Sequence, residues 1–416
     1  MPRAPKFWRY FQREVWHRSL PHGLLGVRYL CPGADARVRA HRDLWWASGH
    51  GWPRPLWLLV QAWHWLRWVG FWAWRASWGM HRHQRSKNTA AEDWPPGSGG
   101  RVLRLALVWC IPPRDSVRFG LHRDPDAALD FVYDHELGAW HRLSSLPLGL
   151  SEHSRRLLQD KPRLSEVLSQ RGVPMASILA VVPRDASTVD LAPWLSGHEV
   201  IFCKMRSGNQ GRGAFAAWRQ GDGLAGRTFT GQPLADTRAV EHAWRALLQL
   251  DDALIQPRLA NHQALTGLGL ADEAITVRYI SEWREESLVC LSAVLEVPTH
   301  RAETTGDTLY TILPIEDGAG RLLPWPEHAL LAFDGRNWTE RLYRAAGEHG
   351  VHHLPGWSDL VDYTHQAHAA FPDIRAIAWD WVITPSGPRL LEGNVGWGAA
   401  VPQRILGGFL RAGGQE

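Results

Sequence analysis

From residue 101 onward, apolar residues gather in short runs separated by polar turns. Runs of strand length are RVLRLALVW (101–109), SILAVV (177–182), EVIFCKM (199–205), DALIQ (252–256), AITVRYISEW (274–283) and SLVCLSAVLEV (287–297). Two more, IRAIAWDWVI (374–383) and PRLLEGNV (388–395), flank a turn at Pro385-Ser386-Gly387. Their length and β-branched content predict buried strands, beginning with 101–109. Helical spacing appears in SEHSRRLLQDKPRLSEVLSQRG (151–172), read as two helices with a turn at Lys161-Pro162 and a stop at Gly172. It recurs in TRAVEHAWRALLQL (237–250). Strands and helices mix without strict alternation, which predicts an α+β arrangement rather than a doubly wound sheet.

The first hundred residues differ. PLWLLVQAWHWLRWVGFWAWRASWGM (55–80) is long enough to cross a bilayer, but Gln61, His64, Arg67 and Arg75 interrupt it. Basic residues from His81 to Lys87 follow at once. A helix lying on an anionic membrane surface, and an amphipathic helix packed on the protein's own core or a partner, both account for these features; a transmembrane span accounts for them less well. HQRSKNTAAEDWPPGSGG (83–100) has the composition of a linker. The expected organisation is a Trp-rich, mainly helical region over 1–100, an α/β part of the core over 101–160, a subdomain with a glycine-rich loop over 161–257, and a larger subdomain with a metal site over 258–416.

Composition narrows the classes. The 416 residues are 45% hydrophobic and 21% charged, ordinary values for a globular chain. A net charge of +4 is too small to indicate nucleic acid as a partner. Cys31, Cys110, Cys203 and Cys290 lie far apart without CxxC spacing, which speaks against a zinc or disulfide framework and for a reducing compartment. With no continuous apolar secretory signal at the start of the chain, a cytoplasmic protein is expected. Attachment to the inner face of the plasma membrane stays open. Positive charge is nearly all arginine, the only lysines being Lys6, Lys87, Lys161 and Lys204. That bias draws attention to the last two, because an ammonium and a guanidinium are not equivalent at a phosphate.

Lys204 ends an apolar strand, and Ser207, Gly208, Gly211 and Gly213 follow in its loop. An ammonium beside backbone free of side chains is what a triphosphate requires. The lysine precedes the glycines and no GK[ST] occurs, so this is not a Walker A loop; alone, such a turn is more often a hairpin. Near the end of the chain, Asp380 sits mid-strand among apolar residues, while Glu392 and Asn394, two apart on a strand, share a face. Buried carboxylates call for a counter-charge, and a hard cation such as Mg²⁺ supplies one through oxygen ligands. An exposed acidic hairpin is the plainer alternative.

In order, DKPRLSEVLSQRGVP, FCKMRSGNQGRG, LIQPRLANH, AITVRYIS and DWVITPSGPRLLEGN resemble the ATP-grasp superfamily, and within it the sugar-transfer-associated branch, over about 160–403. The resemblance implies an ATP-grasp fold, two α+β subdomains clasping ATP. It places Lys161 at the α-phosphate, Lys204 at the α- and β-phosphates, and the backbone from Ser207 through Gly208 and Gly211 to Gly213 over the triphosphate. Leu254, Ile255 and Gln256 become the adenine hinge, and His262 a neighbour of the ribose. Arg278 would meet the transferring γ-phosphoryl, and Asp380, Glu392 and Asn394 would hold Mg²⁺. Without the resemblance, Lys161 reads as a helix-end lysine and Arg278 as an exposed residue paired with Glu282. One departure stands out: Pro257 and Arg258 occupy the stretch where many members carry an acidic ribose ligand. Arg301, Glu303 and Asp307 face either an acceptor or solvent.

The activity implied is that of an ATP- and Mg²⁺-dependent ligase. It would activate a carboxylate as an acyl phosphate for an amine or sugar acceptor in cell-surface polysaccharide or glycoconjugate biosynthesis. A kinase acting on a hydroxyl, and a membrane-surface binding protein with a vestigial ATP site, are the alternatives. No Ser-His-Asp or Cys-His set competes with phosphoryl chemistry.

Overall fold

The computed structural model describes residues 26, 29, 35–86, 94–186, 190–207, 213–302, 307–330 and 336–411. The chain divides into two compact units. One comprises 1–147, 325–336 and 398–416; the other comprises 148–324 and 337–397.

The first unit is helical where it is described. Asp35 caps the helix Ala36–Ser48 by accepting from the Val38 amide. Arg54–Arg67, a π turn at Trp68–Trp72 and Ala73–Ser86 run on as one helical stretch. Its inner side packs Trp68 and Ala73 against Ala106 and Cys110, and the Trp68 indole donates to the Ala106 carbonyl at 2.8 Å. No helix among the described residues is long and apolar enough to cross a membrane.

One expectation is corrected here. Residues 101–109 form the helix Ser98–Trp109 rather than a strand. Val102, Leu105 and Ala106 are buried at helical spacing, while Arg101 and Arg104 fall on other sides. A short apolar run satisfies either periodicity, and packing against neighbouring helices decides between them.

The second unit contains two antiparallel sheets, as the α+β reading expected. Strands β1 (Ala180–Val182), β2 (Val200–Met205), β3 (Phe215–Gln220), β4 (Gly223–Thr228), β5 (Pro233–Leu234) and β6 (Ala253–Pro257) make a six-stranded sheet in the order β1-β6-β2-β3-β4-β5. The helix Thr237–Leu250, capped by Asp236, buries Val240, Trp244, Leu247 and Leu248 against Ile201, Cys203, Phe215 and Ile255. That helix covers the odd-numbered face of β2, so Phe202 and Lys204 lie on the other face.

Strands β7 (Thr276–Arg284), β8 (Ser287–Arg301), β9 (Thr308–Ile315), β10 (Ala376–Thr384) and β11 (Gly387–Asn394) form the second sheet, ordered β11-β10-β7-β8-β9. Every residue of β10 is buried. Behind it, His368 of the helix Trp357–His368 meets Trp379 edge-on, accepts the Ser281 hydroxyl at 2.6 Å and donates to the Ile374 carbonyl at 2.9 Å. The bond to a carbonyl fixes the proton on Nε2, leaving Nδ1 to accept. The helices Glu152–Gln159 and Lys161–Ser169 follow the predicted pair, with the break at Asp160 so that Lys161 opens the second helix. After Gly172, residues 174–176 run alongside β11, where Ala176 N donates to the Leu390 carbonyl and Leu390 N donates to the Pro174 carbonyl.

Candidate functional site

Strand register assembles the site. Asp380 on β10 lies opposite Arg278 on β7 and opposite Glu392 on β11. Glu296 on β8 pairs with Thr276, two residues from Arg278. Directly opposed residues project to one face, as do residues two apart, so Arg278, Glu296, Asp380, Glu392 and Asn394 share a surface. Next to Asp380 a bulge moves the β11 partner from Glu392 to Leu390. It gives the pair a local twist at the carboxylates.

Arg278 holds Asp380 with two parallel bonds, Nε to Oδ1 at 2.8 Å and Nη2 to Oδ2 at 3.1 Å, and reaches Glu296 with Nη1 at 3.0 Å. This forked grip is the strong form of a charge-assisted bond. The alternative partner considered for Arg278, Glu282, instead binds Arg284 and Arg375. Lys161 Nζ lies 3.4 Å from Glu392 Oε2. Asn394 Nδ2 donates to Asp380 at 3.1 Å and to Glu392 at 3.3 Å, bridging the two carboxylates.

Protonation follows from this geometry. Burial lifts Asp380 above the ordinary carboxylate range against the pull of Arg278, and it lifts Glu296 likewise. Burial also opposes ionisation of Glu392, yet Lys161 and Lys204 overcome it and hold its pKa below the usual value. For Lys204, desolvation outweighs the attraction of Glu392, and nearby Lys161 repels it as well; its pKa falls to about 8. Three carboxylates therefore face three cations, with Lys204 contributed by the other sheet of the same unit.

The loop after Lys204 is fastened at its root. Ser207 N donates to Asp251 at 2.9 Å, and Arg206 forks onto Asp160 at 2.9 and 3.1 Å, beside Lys161. Gly213 has φ of +74° with Leu250 near its Cβ position, so the far end of the loop requires glycine. Gly208 and Gly211 lie outside the described residues.

The expected adenine hinge divides. Leu254 and Ile255 are flanked by β1 and β2, and the Ile255 carbonyl accepts from Leu179. Gln256 lies beyond the pairing with β1, and its side chain donates to the Ser177 carbonyl at 3.2 Å. His262 serves its own turn: its amide donates to the Ile383 carbonyl at 2.7 Å, and Nδ1 accepts from Ala264 N at 3.2 Å. Arg301 pairs with Asp272 and Glu273. Glu303 lies outside the described residues.

The donor set suits a hard divalent cation: two adjacent carboxylates and an amide, with room in a Mg²⁺ shell for water and phosphate oxygens. Among the described residues no group of three or more His, Cys, Asp or Glu side chains is placed to hold a metal. Both Asp380 oxygens are engaged by Arg278, so a cation at Asp380 requires the guanidinium to exchange one carboxylate for another anion. Sequence reasoning missed Glu296, Arg206 and Asp160. Glu296 had a signal, an acid at the end of an apolar strand, but only the β7–β8 register reveals its partner.

No family model matches the chain, and neither does any curated protein. Solved structures do. D-alanyl-alanine synthetase A from Vibrio cholerae O1 biovar eltor matches at 10% identity over 60% of each chain, with a TM-score of 0.34. The ATP-grasp ligase PsnB complexed with a minimal precursor matches at 12% over 70% of this chain and 67% of that one, TM-score 0.34. N5-carboxyaminoimidazole synthetase from Staphylococcus aureus complexed with ADP matches at 10% over 57% of this chain and 45% of that one, TM-score 0.33. The chain thus spans 60% and 45% of the lengths of the two synthetases. Likeness at this level leaves the activity to be argued from the side chains.

Proposed function

We propose that the second unit binds Mg-ATP as an ATP-grasp enzyme and uses it to activate a carboxylate for ligation to an amine or sugar acceptor. The cluster of Lys161, Lys204 and Arg278 against Asp380, Glu392 and Glu296 carries this reading. It gathers cations for a polyphosphate, from β2, β7 and the start of the helix Lys161–Ser169, beside carboxylates for its metal on β8, β10 and β11. In the activating step a carboxylate oxygen of the substrate bonds to the γ-phosphorus as the bond to the β-phosphate oxygen breaks, giving acyl phosphate and ADP. The acceptor then attacks the acyl carbon and releases phosphate.

Mg²⁺, when bound, neutralises phosphate charge. Asp380 and Glu392 are the residues to hold it, with Asn394 as a third ligand through its amide oxygen. Lys161 and Lys204 fix the phosphates by charge, and Arg278, moving from Asp380, meets the developing charge on the transferred group. Covering the triphosphate with the backbone from Ser207 to Gly213 rests on the sequence resemblance, since 208–212 lie outside the described residues. Gln256, at the open end of β6, is the best placed of the hinge residues to receive adenine. A place in cell-surface polysaccharide or glycoconjugate synthesis rests on the sequence resemblance alone.

Calorimetric titration of Mg-ATP into the wild-type chain, Lys204→Ala and Glu392→Ala tests the reading. Binding by the wild type and at least tenfold weaker binding by both variants is expected. No wild-type binding, or equal affinity in all three, refutes it. Product analysis with carboxylate and hydroxyl acceptors separates a ligase, which leaves an amide or ester, from a kinase, which leaves a phosphoester.

A further inference from the structure

The helical stretch 54–86 is apolar on both its inward and its outward side. Its inward side buries Trp57, Val60, Trp68 and Ala73 together with Gln61, His64, Ser77 and Gln84. Its outward side carries Leu59, Leu66, Phe71, Trp74 and Trp78, each 53–69% exposed. A helix bordered by water on its outer side places polar residues there; this one, with its core side already filled, places five further large apolar groups there. The π turn keeps the stripe in line: Leu66 and Phe71 are five apart across it, whereas Phe71, Trp74 and Trp78 follow at three and four. From Leu59 to Trp78 the stripe runs about 30 Å at helical rise.

Charge selects the partner. Between residues 54 and 86 there are five arginines and no aspartate or glutamate. Arg75, Arg82 and Arg85 are exposed on the same stretch. Protein–protein interfaces centre on a few anchors seated in pockets and ringed by polar groups of both signs. A long tryptophan-rich stripe flanked only by cations fits a lipid headgroup layer, where indoles sit at the boundary and guanidinium groups bind phosphate. Because no described helix is long and apolar enough to span, the geometry calls for lying on the surface rather than crossing it.

We propose that the outward face of 54–86 adsorbs to an anionic bilayer, with Leu59, Leu66, Phe71, Trp74 and Trp78 at the acyl boundary and Arg75, Arg82 and Arg85 on lipid phosphates. This assignment is independent of the ATP site. The test is flotation of the full chain with phosphatidylcholine vesicles, with and without phosphatidylglycerol. Co-flotation with the anionic vesicles, reduced by salt, is expected. Trp74→Ser/Trp78→Ser and Arg82→Gln/Arg85→Gln should each weaken it about tenfold without changing thermal unfolding, because the replaced side chains are outward. Wild-type protein that stays unbound with both vesicles overturns the proposal. So does a tryptophan variant that floats like wild type. So does a lipid-free dimer that the tryptophan variant converts to monomer, since the face would then be covered by a second copy.

Discussion

Lys204 gives the sharpest handle on the proposed chemistry. With a pKa of about 8, it is about nine-tenths protonated at pH 7, half at pH 8 and a tenth at pH 9. If the ammonium is what holds the phosphates, Mg-ATP affinity falls roughly tenfold between pH 7 and pH 9, and binding at pH 8 takes up about half a proton. Calorimetry at several pH values, in buffers of different ionisation enthalpy, reads both quantities. Lys204→Arg keeps its charge throughout the range and should flatten both. In the unliganded protein the sign is opposite. The folded pKa lies below the ordinary 10.5, so the unfolded chain binds the extra proton between about 8 and 10.5. The stability cost of charging buried Lys204 is present below pH 8 and is relieved as pH rises through that window. An affinity constant from pH 7 to 9, or an arginine variant with an unchanged pH slope, refutes the assignment of Lys204 as the phosphate cation.

Other outcomes follow from the same geometry. Arg278→Met removes the partner of two buried carboxylates; a loss of about 2 kcal/mol in denaturant unfolding is expected, below the ~3–5 of a wholly buried pair because the guanidinium is 37% exposed. Unchanged stability would mean that Asp380 and Glu296 have other counter-charges. His368 has its pKa lowered to about 4 by burial, so it is neutral in the fold but binds a proton below about 6.5 when unfolded. Its contribution is present above pH 6.5 and lost as pH falls towards 4, so the stability gap between wild type and His368→Gln should shrink from pH 7 to pH 5; a constant gap refutes the role. A Cβ at Gly393 would stand 2.6 Å from the Trp379 ring and 2.9 Å from Leu158. Gly393→Ala should cost ~1–3 kcal/mol and weaken Mg-ATP binding by displacing Glu392 and Asn394; an unaltered melting temperature counts against that packing.

Local sequence specified most of the strands in the second unit, because runs such as AIAWDWVIT and the hairpin turn at Pro385-Ser386-Gly387 admit few other structures. The helix Thr237–Leu250 was equally legible from the helical spacing of its apolar residues, Val240, Trp244, Leu247 and Leu248. It also singled out Lys204 and Asp380, since a lone lysine before a glycine-rich loop and a carboxylate inside an apolar strand each need an explanation. Pairing was beyond it. Arg278 takes Asp380 and Glu296 rather than Glu282 because of strand register, a long-range property that local spacing does not encode. The helix Ser98–Trp109 shows the same limit, since its apolar run fits two periods and its neighbours choose one. Which tryptophans of 54–86 face inward was likewise a tertiary decision: apolar residues occur all round the stretch, and packing of Trp68 and Ala73 against Ala106 and Cys110 leaves Trp74 and Trp78 outward.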